Sequence, residues 1–72
     1  MTPEQIEARL KAAYPDAAVA VIDYNGRQDH YDIRISTPHL TGTRIQKHQA
    51  ILKLFAPEFQ NGELHALEIK II

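Results

Sequence analysis

Seventy-two residues with 44% hydrophobic and 24% charged content describe one small globular domain rather than a disordered chain. A formal net charge of −1 gives no general attraction to phosphate backbones or anionic membranes, although it does not exclude a local basic patch. The absence of cysteine excludes disulfides and thiolate chemistry within the chain, so any thiolate ligand must come from a partner.

Thr2-Pro3-Glu4-Gln5 reads as a helix start. Thr2 accepts from first-turn N–H groups, Pro3 suits the first helical position, and Gln5 completes a capping box. Ile6, Leu10 and Ala13 follow on one face, with Glu4, Glu7, Arg9 and Lys11 over the rest, and Pro15 and Asp16 end the helix. Residues 18–24, AVAVIDY, have the length and β-branched content of a strand, but both alternating sets are mostly apolar and leave its buried face open. Asn25-Gly26 signals a turn, lengthened by Arg27-Gln28-Asp29. Tyr31, Ile33 and Ile35 then alternate with His30, Asp32 and Arg34, a second strand that pairs antiparallel with the first.

A connection over residues 36–42, broken by Pro38, leads to a second capping box, Thr43-Arg44-Ile45-Gln46. Its helix sets Ile45, His48, Leu52 and Phe55 in one stripe, with Ile51 beside them. Arg44, Gln46, Lys47 and Lys53 lie elsewhere on it. Pro57 interrupts, and residues 58–61 add one short helical turn. Residues 62–72, GELHALEIKII, close the chain as a strand. From Leu64, the residues His65, Leu67, Ile69 and Ile71 point one way, and Leu64, Ala66, Glu68 and Lys70 the other.

This order predicts a single α+β domain over residues 1–72, helix–strand–strand–helix–strand. A strand–helix–strand crossover joins parallel strands, so the last strand runs parallel to the second in a mixed three-stranded sheet. Both helices cover the face built from Tyr31, Ile33, Ile35, Leu67, Ile69 and Ile71. Asp32, Arg34, Glu68 and Lys70 occupy the outer face, where they are placed to pair across strands. No apolar run reaches membrane-spanning length and no signal-peptide pattern opens the chain, so a cytoplasmic protein with no membrane association is expected.

Parallel neighbours start at the same sheet edge. His30 and His65 therefore open adjacent strands whose backbones lie roughly 5 Å apart, and two imidazoles there suit one metal centre. Strict alternation opposes this, because His30 shares a face with Asp32 and His65 shares the opposite face with the core row. Convergence then requires His30 to belong to the loop. The simpler reading of His65 is a partly buried imidazole with a hydrogen-bond partner. His48 reads as a packing residue, His39 as solvated, and Arg44, Lys47 and Lys53 as a wet helix face.

Four stretches go further: Thr2-Pro3-Glu4-Gln5-Ile6, His30-Tyr31-Asp32-Ile33, Lys47-His48-Gln49 and Leu64-His65-Ala66-Leu67-Glu68-Ile69-Lys70. The last is similar to the C-terminal HAL-x-I-K signature of the BolA family, and the chain resembles that family over nearly its whole length. The resemblance implies a fold related to the class II KH fold and a monothiol glutaredoxin as partner. It also implies a [2Fe–2S] cluster shared with that glutaredoxin and glutathione, each giving a thiolate, with His65 as a ligand from this chain. Family members often hold a further histidine or cysteine within the loop between the first two strands. Residues 25–29 hold neither, which leaves His30 at the loop end as the second ligand, or else Asp29, water or an altered geometry. Neutral imidazoles on an iron whose other side is sulfur-ligated have a precedent in Rieske centres. The isolated chain is then expected to be a monomer without cofactor.

The alternative is a KH-like nucleic-acid-binding regulator, since the family has been linked to transcriptional control. A KH domain clamps the backbone with a Gly-x-x-Gly loop, whereas Gly26, Gly42 and Gly62 are isolated. No nucleophile–base arrangement can be argued from the spacing, so a non-enzymatic role is expected.

Overall fold

A computed structural model describes residues 1–23, 26 and 30–72. The elements run α1 (Pro3–Ala13), β1 (Ala18–Asp23), β2 (His30–Ser36), α2 (Arg44–Leu54), α3 (Ala56–Gln60) and β3 (Ala66–Ile71). Both predicted capping boxes form. Thr2 Oγ1 accepts from the Gln5 N–H at 3.2 Å while Gln5 Oε1 accepts from the Thr2 N–H at 2.8 Å. Thr43 and Gln46 repeat this at 3.1 and 2.9 Å. Each box satisfies two backbone N–H groups that a helix start leaves without intrahelical partners. The extra turn is α3, which begins at Ala56 and takes Pro57 into its first turn, where a missing N–H costs nothing, rather than starting after it. Tyr24, Asn25 and Arg27-Gln28-Asp29, with the turn expected there, lie outside the described residues.

The sheet has the order β1-β2-β3, with β1 and β2 antiparallel and β2 and β3 parallel, as the crossover rule requires. Ile6 and Leu10 of α1 are buried together with Tyr31, Ile33, Ile35 and Ile69 of the sheet. In β1, half-buried Val19 and Val21 stand opposite Ile35 and Ile33, while Ala18, Ala20 and Ile22 face out. Tertiary contact thus settles the face that composition left open. Among the described residues no helix is long and apolar enough to cross a membrane.

Two expectations are corrected. The buried stripe of α2 centres on Ile51 and Phe55, both 0% exposed, while Ile45 is 69% and Leu52 37% exposed. Ile51 and Phe55 are four residues apart and stack on one face; Ile45 and Leu52 lie roughly 90° around the helix. On the outer sheet face, the register sets Asp32 opposite Glu68 and Arg34 opposite Lys70, so direct partners carry like charges. Arg34 Nη2 instead lies 3.9 Å from Asp32 Oδ2 of its own strand.

Candidate metal centre at the start of the parallel strands

Leu64 and His65 are neighbours with opposite environments. Leu64 is 1% exposed and sits in the core, whereas His65 is exposed. The reason lies in how the chain leaves α3. The Asn61 N–H donates to the Pro57 carbonyl at 3.0 Å, and Gly62 follows at φ +83°. This left-handed step after a helix end favours glycine. The Leu64 N–H then donates to the Glu58 carbonyl at 3.1 Å, which holds Leu64 against α3. Regular pairing with β2 begins only at Ala66, opposite His30.

The expected alternation from Leu64 therefore fails, and its failure resolves the conflict between the two histidines. His65 lies outside β3 and leaves the core face, while His30 is the first residue of β2. The expectation had the roles reversed, with His30 in the loop. Their ring centroids are 6.1 Å apart with planes at 76°. His30 is half-buried and borders a depression of about 250 Å³ with Tyr31, Ala66 and Glu68. Tyr31 points the other way, into the core, where its hydroxyl donates to the Met1 carbonyl and anchors the start of β2.

A second anchor joins residues remote in sequence. Arg9 donates to both Glu58 carboxylate oxygens, with Nη2 at 3.0 Å from Oε2, and Nη1 also donates to the Leu54 carbonyl at 3.1 Å. Its guanidinium lies 5.2 Å from the Phe55 ring centroid. The hydrogen bond from Arg9 holds the Glu58 carboxyl below the usual carboxylate range. Glu58 thus joins Arg9 through its side chain and Leu64 through its carbonyl, which fixes the segment that presents His65. On α1, Arg9 reads locally as one charge on a polar face, and nothing near it in sequence announces a partner in α3.

The other histidines stand apart from this pair. His48 is half-buried beside Ile69, and exposed His39 places Nε2 2.8 Å from Asp16 Oδ2. Asp29 lies outside the described residues. Among the described residues, no set of three or more His, Cys, Asp or Glu side chains is placed to hold a metal ion. What the described residues bring together is two adjacent imidazoles, His30 and His65.

A family model described as BolA-like protein matches residues 6–72. The chain belongs to the BolA family. It is 31% identical over 72 residues to the uncharacterized protein RP812 of Rickettsia prowazekii, covering 100% of this chain and 94% of that one. It is 37% identical over 71 residues to an uncharacterized protein from the rpoN-murA intergenic region of Acinetobacter guillouiae, covering 97% of this chain and 82% of the other. The solution structure of the BolA-like hypothetical protein RP812 superposes with a TM-score of 0.71 at 32% identity, covering 100% of this chain and 94% of that one. The BolA-like fold is the one built above from the order of helices and strands.

Proposed function

We propose that this BolA-family chain is a non-enzymatic adaptor in iron–sulfur or iron homeostasis, working in the cytoplasm. It binds a monothiol glutaredoxin and co-ligates a shared [2Fe–2S] cluster, with His65 and His30 as its ligands and the glutaredoxin and glutathione supplying thiolates. The observation that supports this most is the 6.1 Å separation of the two rings. With metal–nitrogen bonds of about 2 Å, two imidazoles on one tetrahedral metal have centroids roughly 5 Å apart. Side-chain rotation of about 1 Å closes that difference. The donor set fits as well, since imidazole suits iron and a cysteine-free chain requires sulfur from elsewhere.

Bound there, the cluster supplies one-electron chemistry or transferable iron and sulfide. The chain's own residues hold the imidazoles. Strand pairing fixes His30 opposite Ala66, and Glu58 fixes the backbone that leads to His65. Exposure of His65 leaves a partner room to approach. The test is reconstitution with a monothiol glutaredoxin, glutathione, iron and sulfide, followed by visible absorption and circular dichroism. The adaptor complex is expected to give a spectrum distinct from the glutaredoxin homodimer, and His65→Ala and His30→Ala to shift it back. A spectrum unaltered by either substitution contradicts the ligand assignment.

A further inference from the structure

β3 is an edge strand, and one hydrogen bond shows which of its backbone groups face outward. The Ile72 N–H donates to the Ile35 carbonyl at 3.0 Å. Backbone groups alternate along a strand, so Glu68 and Lys70 turn theirs toward β2, and Leu67, Ile69 and Ile71 turn theirs away from it. Beside that edge lies a groove of about 250 Å³ lined by Arg44, His48, Ile69, Lys70 and Ile71. On the circumference of α2, His48 falls between the buried Ile51–Phe55 face and the exposed Leu52 and Ile45. The charged side chains lining the groove, Arg44 and Lys70, are cationic, and Glu68 lies beyond it on the outer sheet face. α2 bears Arg44, Lys47 and Lys53 and no carboxylate, and Lys70 joins Arg44 in the groove, within a chain of formal net charge −1.

We propose that this edge and groove take an extended acidic peptide segment of a partner protein, added as a fourth strand. Its backbone pairs with Leu67, Ile69 and Ile71. Alternate apolar side chains seat against Ile69 and Ile71, carboxylates on the opposite face meet Lys70, and Arg44 adds positive potential from α2. An edge that offers donors and acceptors in alternation matches another backbone better than a phosphate chain. A second copy is disfavoured, since two-fold pairing of β3 sets two α2 helices, each with three cations, side by side. The proposal does not depend on what His30 and His65 bind.

The test uses the full ¹⁵N-labelled chain and a blocked hexapeptide alternating valine with glutamate. Amide exchange at Leu67, Ile69 and Ile71 should slow by about tenfold or more at saturation, with little change at Glu68 and Lys70. The Arg44→Glu/Lys70→Glu variant should weaken binding about tenfold with its amide dispersion intact, and the lysine counterpart of the peptide should not bind. If the reversed variant fails to fold, Arg44→Gln/Lys70→Gln is expected to show an intermediate loss. Unchanged exchange at the three amides overturns the proposal, as does equal binding of the lysine peptide. Protection that rises with protein concentration in the absence of peptide assigns the edge to a second copy instead. Protection by a single-stranded oligonucleotide but not by the peptide assigns it to nucleic acid.

Discussion

Arg9 and Glu58, 49 positions apart, meet as a two-pronged ion pair that clamps α1 to α3. The Glu58 side chain is only 13% exposed, so water screens the contact less than it would a surface pair. The same guanidinium accepts the burden of the last α2 carbonyls by donating to Leu54, a group the helix end leaves without an intrahelical donor. One side chain thereby closes the junction of three helices.

That pair makes stability depend on pH with a definite sign. The Glu58 pKa is lowered in the folded protein, chiefly by the Arg9 hydrogen bond. The folded state therefore binds this proton less readily than the unfolded chain does. Its contribution is fully present above the unfolded carboxylate pKa of about 4.3 and is lost as pH falls through the lower, folded value. Glu58→Gln should cost about 1–3 kcal/mol at pH 7. The gap between wild type and variant should close in urea titrations carried down toward pH 3. A gap constant with pH would show that the pair is not the cause.

The face that α2 buries predicts a contrast between two isoleucines. Ile51→Ala should cost about 2–4 kcal/mol, because it opens a cavity beneath a side chain that is 0% exposed. Ile45→Ala should stay within about 0.5 kcal/mol. Denaturant midpoints measured at constant m-value decide between the faces, and equal losses would contradict this assignment.

Gly42 precedes the second capping box at φ +105°, where an added Cβ would fall 2.5 Å from Gln46 Oε1. That oxygen accepts the Thr43 N–H, so a side chain here both strains the backbone and displaces the cap. Gly42→Ala should destabilise by about 1–2 kcal/mol. Thermal unfolding alongside Gln46→Ala provides the check, and the double variant should lose less than the sum, since both changes remove the same hydrogen bond.

Much of this architecture is legible in the amino-acid sequence. Thr2 with Gln5 and Thr43 with Gln46 mark the helix starts because capping is local chemistry. The alternation of Tyr31, Ile33 and Ile35 marks the central strand because one of its faces is buried and the other is wet. The parallel placement of β3 follows from the helical crossover that joins it to β2. Other features depend on contacts remote in sequence. Leu64 is pulled into the core through the Glu58 carbonyl, so the alternation that predicted His65 on the core face begins two residues too early. The choice between Ile45 and Ile51 turns on which side of α2 meets the sheet, and hydrophobicity does not distinguish them. His65 and His30 were both legible as candidates; the route by which they converge was not.

The ligand assignment is tested most directly at the nitrogen atoms. The adaptor should be labelled with ¹⁵N-histidine, reconstituted with unlabelled monothiol glutaredoxin, glutathione, iron and sulfide, reduced, and examined by pulsed electron paramagnetic resonance. Two strongly coupled ¹⁵N nuclei are expected, with one lost in His65→Ala and the other in His30→Ala. A cluster that forms in the mixed complex without ¹⁵N coupling, or with coupling that survives His65→Ala unchanged, would contradict the account.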